Sequence, residues 1–112
     1  MNKLLILVIL ALAACSPKIV SFAKSDVQRA SEKFPGATMA TLTEGQNHYK
    51  QYCGSCHPYK SPDARNEEQW KKIVPKMVIK VNKKAGNVAI DSLMEQSVLT
   101  YLVTMSTTSK SK

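Results

Sequence analysis

The chain has 112 residues, with 16 lysines and arginines against 8 aspartates and glutamates, for a formal net charge of +8. That length supports one small domain and no more. The basic balance favours acidic or anionic partners, but no nucleic-acid motif accompanies it, so nucleic acid is not expected as a partner.

Residues 1–14, MNKLLILVILALAA, place one lysine before an unbroken apolar run from Leu4 to Ala14. This is the pattern of a signal peptide for export, and the run is short for a transmembrane helix, which needs roughly 20 residues. Leu12-Ala13-Ala14-Cys15 resembles the lipobox of bacterial lipoproteins. The resemblance implies cleavage before Cys15, lipidation of that cysteine, and a mature protein anchored at a bacterial membrane facing the periplasm; which membrane is left open. Removing 14 residues from 112 leaves 98, and losing Lys3 lowers the net charge from +8 to +7. Residues 15–24 read as a tether from the lipid.

A short helix is expected over SDVQRASEK, with Ser25 as its cap and Pro35-Gly36 as its stop. A connector follows, so residues 25–42 form an N-terminal helix and linker outside the main domain. A second helix is expected from Thr43, acting as cap, to about Cys53. Residues 58–65 read as a loop. Asn66 is placed to cap a third helix whose first turn holds Glu67 and Glu68, where the helix dipole favours anions. Pro75 should kink or divide that helix, and Asn82 to Asn87 reads as a turn. A last helix runs from Asp91 to Met105, with Ile90, Leu93, Met94, Val98, Tyr101, Leu102 and Met105 near one face. Residues 106–112 read as a disordered tail. With no strand alternation, the expected fold class is all-α.

Cys53-Gly54-Ser55-Cys56-His57 concentrates the chain's chemistry. A redox disulfide at this spacing belongs in a βαβ setting that the chain does not supply. A structural zinc site needs four ligands, and His48 would have to complete an unusual set. C-x-x-C-H is also the attachment sequence of a c-type haem: Cys53 and Cys56 form thioethers to the vinyl groups, and His57 reaches the iron. Export favours that option, and the count agrees, with one cysteine for lipid and two for one covalent haem c.

The surrounding residues add to it. Gly45, Tyr49 and Cys53 recur at i, i+4 and i+8, and Val98 and Tyr101 lie three apart near the end of the chain. This resembles class I cytochrome c. The resemblance implies a small helical domain over residues 43–105 wrapped round one haem, in which the Gly45–Tyr49 helix crosses the Val98–Tyr101 helix. A narrower resemblance joins Gly45, Tyr49, Cys53, Cys56, His57 and Pro58 with EEQWKKIVPKM (Glu67 to Met77) and Tyr101-Leu102. It is to small monohaem cytochromes, often lipoproteins, of Bacteroidetes-type bacteria, related to domains of dihaem cytochromes. It implies Met77 as the distal iron ligand, with Trp70 packing near the haem. The other candidates for that position are Met39, Met94, Met105 and His48. By analogy with class I cytochromes, the carbonyl of Pro58 or Pro62 would orient the proximal imidazole.

His/Met ligation leaves no open position on the iron and raises its potential relative to bis-histidine. The expected function is therefore a lipid-anchored carrier of single electrons, not an enzyme, working between extracytoplasmic or membrane redox partners. Those partners would be acidic if the lysines form a docking face. The alternatives are a gas-binding or peroxidase-like haem protein with a vacant sixth site, and an exported dithiol protein without haem.

Overall fold

Four helices in the computed structural model follow from local capping chemistry. The structure describes residues 22–54 and 60–106. The helices are α1 (Lys24–Lys33), α2 (Met39–His48), α3 (Glu67–Ala85) and α4 (Ser92–Ser106). Two short pieces join them: a π-helix over Tyr49–Cys53, continuous with α2, and a 3₁₀ turn over Pro62–Ala64. Among the described residues there is no strand, and no helix is long and apolar enough to cross a membrane. The expected signal peptide, Cys15, most of the tether, and residues 107–112 of the tail lie outside the described residues.

The first two helices start earlier than their sequence signals indicate. Ser25 does not cap α1. Ala23 is the N-cap, and its N–H donates to the Asp26 carboxylate at 2.9 Å, which also takes Arg29 Nη2 at 2.8 Å. A carboxylate three residues into the helix reaches back to an orphan donor there, so Ser25 already lies in the first turn. Likewise Thr38, not Thr43, caps α2. Its hydroxyl accepts from the Thr41 N–H at 3.3 Å, and the Thr41 hydroxyl accepts from the Thr38 N–H at 3.0 Å. The Thr43 hydroxyl instead donates to the Met39 carbonyl at 2.9 Å, the back-bonding of a threonine already inside a helix.

α3 starts as expected. Asn66 Oδ1 accepts from the Gln69 N–H and Gln69 Oε1 accepts from the Asn66 N–H, both at 2.9 Å. It does not divide at Pro75. Pro75 and Lys71, four residues before it, are both exposed, so the carbonyl that loses its donor faces water. Nor does the helix yield to a turn at Asn82. It runs to Ala85 and ends at Gly86, whose φ of 75° places it in the left-handed region and whose N–H donates to the Asn82 carbonyl at 3.0 Å. A glycine there adopts this conformation without steric cost. The Asn82 side chain then ties down the next loop. It donates to the Ile90 carbonyl at 3.1 Å and accepts from the Ile90 N–H at 2.8 Å. At the start of α4, Asp91 Oδ1 accepts from the Met94 N–H at 2.8 Å.

α4 is the central helix, and α1, α2 and α3 all pack on it. Val98, Tyr101 and Leu102 are buried as expected, but Leu93 is 81 % exposed because it lies before the helix enters the bundle. Beyond Ser97 the helix is enclosed on most sides, and Thr100, Val103, Thr104 and Ser106 are buried too. Ser106 therefore belongs to α4 and not to a tail. The N-terminal segment is part of the core and not outside it. Phe22 meets Tyr101 edge-to-face at 5.9 Å, and Ala30 and Leu42 are fully buried in the same cluster.

The crossing of α2 and α4 has the closest contact. A Cβ on Gly45 would lie 2.0 Å from the Ser97 carbonyl oxygen and 2.8 Å from Tyr101 Cβ. The two backbones touch because Gly45 has no side chain. One turn later Tyr49 lies beside Tyr101, with ring centroids 6.1 Å apart. The crossing sets where the C-terminal end of α2, and hence Cys53, emerges.

Candidate functional site

Tyr49 and Trp70 form the inner wall of a cleft of about 220 Å³ beside α3. Their rings meet at 82° with centroids 6.0 Å apart. Each also donates a hydrogen bond to the loop that follows the C-x-x-C-H segment. The Tyr49 hydroxyl reaches the Lys60 carbonyl at 2.7 Å, and Trp70 Nε1 reaches the Pro62 carbonyl at 2.8 Å. A buried tyrosine and tryptophan need such partners, and here the partners are the loop backbone. Burial raises the Tyr49 phenol to about 12, outweighing the lowering effect of the Lys60 carbonyl bond.

α3 contributes Trp70, Ile73, Met77 and Lys80 to the cleft. These follow one another at three- and four-residue steps, a single helical stripe. Trp70 is 1 % exposed, whereas Ile73 and Met77 are half-buried at the cleft surface. Val74 and Val78, on the adjoining stripe, are buried in the core. The valines hold the helix down, while Trp70 and Met77 line the same cleft.

Cys53 enters from the other side, at the end of the π-helix, and is 8 % exposed. The wider i→i+5 turn changes the helical phase just before the C-x-x-C-H segment, and such turns recur at functional sites. Cys53, Trp70 and Met77, far apart in sequence, line one cleft. Cys56, His57 and Pro58 lie outside the described residues, as does Cys15. Pro62 is described, and its carbonyl accepts the Trp70 indole.

The other candidate ligands are elsewhere. Met39 is exposed at the start of α2, and Met94 and Met105 are packed against the core. His48 lies against Tyr52 at 6.2 Å, and its buried Nδ1 has no hydrogen-bond partner among the described residues. Among the described methionines, Met77 alone lines the cleft.

Three lining residues were not anticipated: Lys60, Arg65 and Lys80. Lys80 could have been found by extending the Trp70–Met77 stripe by one step. Lys60 and Arg65 lie in a loop, where no periodicity marks a direction. The Arg65 guanidinium lies over the Trp70 ring at 5.7 Å, a cation–π arrangement.

A larger hollow, of about 350 Å³, lies between the α1–α2 turn and α4, with Phe34, Ala37, Glu44 and Leu93 on its walls. Its described lining has neither sulfur nor a cation, so the smaller cleft is the candidate site. That cleft offers a thiol able to form a covalent thioether, a methionine sulfur suited to a soft metal, aromatic and aliphatic walls, and cations for carboxylates. No protein-family model, curated protein or solved structure matches the chain.

Proposed function

We propose that the protein is a lipid-anchored monohaem c-type cytochrome that carries single electrons between extracytoplasmic redox partners. The observation that carries this reading is the convergence of Cys53, Trp70 and Met77 on one cleft. The lining also matches the chemistry of a haem, which is an apolar macrocycle edged by two vinyl groups and two carboxylates. Cys53 and Cys56 would hold it by thioether bonds, and His57 and Met77 would ligate its iron. When bound, it supplies reversible one-electron chemistry at iron.

Each residue has a defined task in this scheme. Met77 presents a neutral thioether, which favours the reduced state relative to a second imidazole. Trp70, Tyr49 and Ile73 exclude water from the inner wall, so the charge change is poorly solvated. The hydrogen bonds from Tyr49 and Trp70 fix the loop at Lys60 and Pro62, which limits rearrangement between redox states. Lys72, Lys76, Lys80 and Lys83 are exposed along α3 and give an acidic partner an approach to the cleft side of the molecule. The lipid on Cys15 would confine encounters to the membrane surface and raise the effective concentration of partners.

The test is the visible spectrum of a soluble form beginning after Cys15, produced with haem-maturation machinery. A low-spin spectrum unchanged by carbon monoxide is expected, with a methionine-to-iron band in the oxidised form. Ready carbon monoxide binding would instead establish a gas-binding or peroxidase-like protein with an open sixth site. Absence of covalent haem would establish an exported dithiol protein.

A further inference from the structure

We propose that the hollow between the α1–α2 turn and α4 is a docking site for a second copy of this chain, which enters it with a lysine of its own α3. The described lining of the hollow holds one carboxylate, Glu44, and no cation, in a chain whose formal net charge is +8. Glu44 takes no part in the described ion pairs, which join Asp26 with Arg29 and Glu67 with Lys33 and Lys71. The hydroxyls that line the hollow have already committed their protons. Ser97 donates to the Met94 carbonyl at 2.8 Å, and Thr100 to the Gln96 carbonyl at 2.7 Å. A hydroxyl that donates still has lone pairs to accept with, so these side chains add acceptors to the carboxylate. Phe34 and Ala37 supply apolar wall. Carboxylate, acceptors and apolar wall together suit an ammonium on an aliphatic stem, which is what a lysine side chain presents.

A small amine would leave part of this surface uncovered. Leu93 lines the hollow and is nevertheless 81 % exposed, so a polypeptide with an apolar residue beside its lysine covers more of it. This chain carries that pattern. From Lys71 to Lys84, α3 has six lysines and no acid, and all six are exposed. Lys72, Lys76, Ile79 and Lys83 follow at four-, three- and four-residue steps and form one stripe, in which Ile79 is 66 % exposed. In the proposed contact a lysine of this stripe meets Glu44 and Ile79 meets Leu93. Hollow and stripe are different surfaces, so the contact is heterologous and each copy can both receive and donate. Copies repel through their net charge, but salt screens that repulsion beyond about 8 Å, and the groups that touch are opposite in sign. One surface ion pair contributes little, so the contact is weak and calls for a measurement that traps it.

The experiment mixes equal amounts of unlabelled and isotope-labelled mature protein and treats them with a carbodiimide. The reagent joins a carboxylate directly to an amine as an amide and takes up the water that is lost. Mass spectrometry of the digested dimer then identifies links between a labelled and an unlabelled copy. Glu44 should be joined to Lys76, Lys80 or Lys83 of the other copy. Leu93→Ser, at an exposed position that leaves the fold intact by circular dichroism, should lower the yield of mixed pairs several-fold. Glu44→Lys should abolish the link, and Glu44→Lys combined with Lys76→Glu should restore one between positions 44 and 76. Mixed pairs joined through lysines scattered over the whole surface would overturn the proposal. So would Glu44 joined only within its own copy, or a double variant no better than Glu44→Lys alone. Absence of mixed pairs, with Glu44 joined to an added lysine-bearing peptide or to butylamine, would also overturn it and assign the hollow to a different occupant.

Discussion

Gly45→Ala tests the backbone contact that positions Cys53. In an ordinary helix interior this substitution stabilises by about 1 kcal/mol, because alanine is the better helix former. Here the added methyl would sit 2.0 Å from the Ser97 carbonyl oxygen and 2.7 Å from its carbon. Both are backbone atoms of α4, so no side-chain rotation relieves the overlap. The helices must separate by more than an ångström, and overpacking of a tight core costs ~1–3 kcal/mol, occasionally more. Because the overlap is with backbone, the cost lies at the upper end, about 3 kcal/mol, and after the gain of about 1 kcal/mol the expected net effect is a loss of about 2 kcal/mol. For a domain of this size, that lowers the unfolding midpoint by roughly 8–16 °C. Far-ultraviolet circular dichroism during heating, on wild type and variant at matched haem content, measures it. An unchanged or raised midpoint would refute the close crossing, since the intrinsic preference would then act unopposed.

Tyr49→Phe should cost about 1 kcal/mol near neutral pH by removing the bond to the Lys60 carbonyl. Its effect should reverse in alkali. The folded phenol is raised from 10.0 to about 12, so between those values the unfolded chain releases its proton first. Wild-type stability then falls as pH rises, by about 2–3 kcal/mol over the window, while the phenylalanine variant escapes this loss. Parallel denaturant curves at pH 9 and pH 12 check it, and equal losses in both proteins would contradict the burial of Tyr49. Thr38→Ala removes the reciprocal cap of α2 and should cost about 1 kcal/mol, read by urea denaturation; Thr43→Ala, at the residue that is not the cap, should cost less. Met77→Leu keeps the apolar volume of the cleft but removes the sulfur. The folded protein should remain and the methionine-to-iron band should vanish, whereas Met105→Leu should leave that band in place.

Much of the architecture was legible in the chain. Helical periodicity, the Asn66 cap with Gln69 three residues on, and the absence of strand alternation are local signals, and they place α3, α4 and the all-α class. The stop at Pro35 is equally local, whereas the turn expected over Asn82 to Asn87 gives way to helix as far as Ala85. Starts that depend on reciprocal side-chain bonds were harder to read. At α2, Thr41 replaces the glutamate or glutamine of the usual box, so Thr43 reads as the cap and the expected start falls five residues late. Pro75, expected to kink or divide its helix, does not divide it. A proline breaks a helix when the freed carbonyl is buried, and only the tertiary structure decides that this one faces water.

The same division holds at the site. The C-x-x-C-H motif singled out Cys53, and the resemblance to small monohaem cytochromes pointed to Trp70 and Met77. It also marked Gly45 and Tyr101 as partners across a helix crossing. What only the tertiary structure decided is how these segments meet. Absent side-chain volume at Gly45 lets α2 touch α4, the π-helix turns Cys53 toward α3, and two hydrogen bonds draw the loop at Lys60 and Pro62 over the aromatic wall. Arg65 comes to lie on Trp70 by the same folding of the loop. Loop residues carry no period, so their direction is set by the surfaces they pack on. The charge of the cleft therefore emerges from three-dimensional packing, whereas its sulfur and aromatic groups were already marked by the motif and the resemblance.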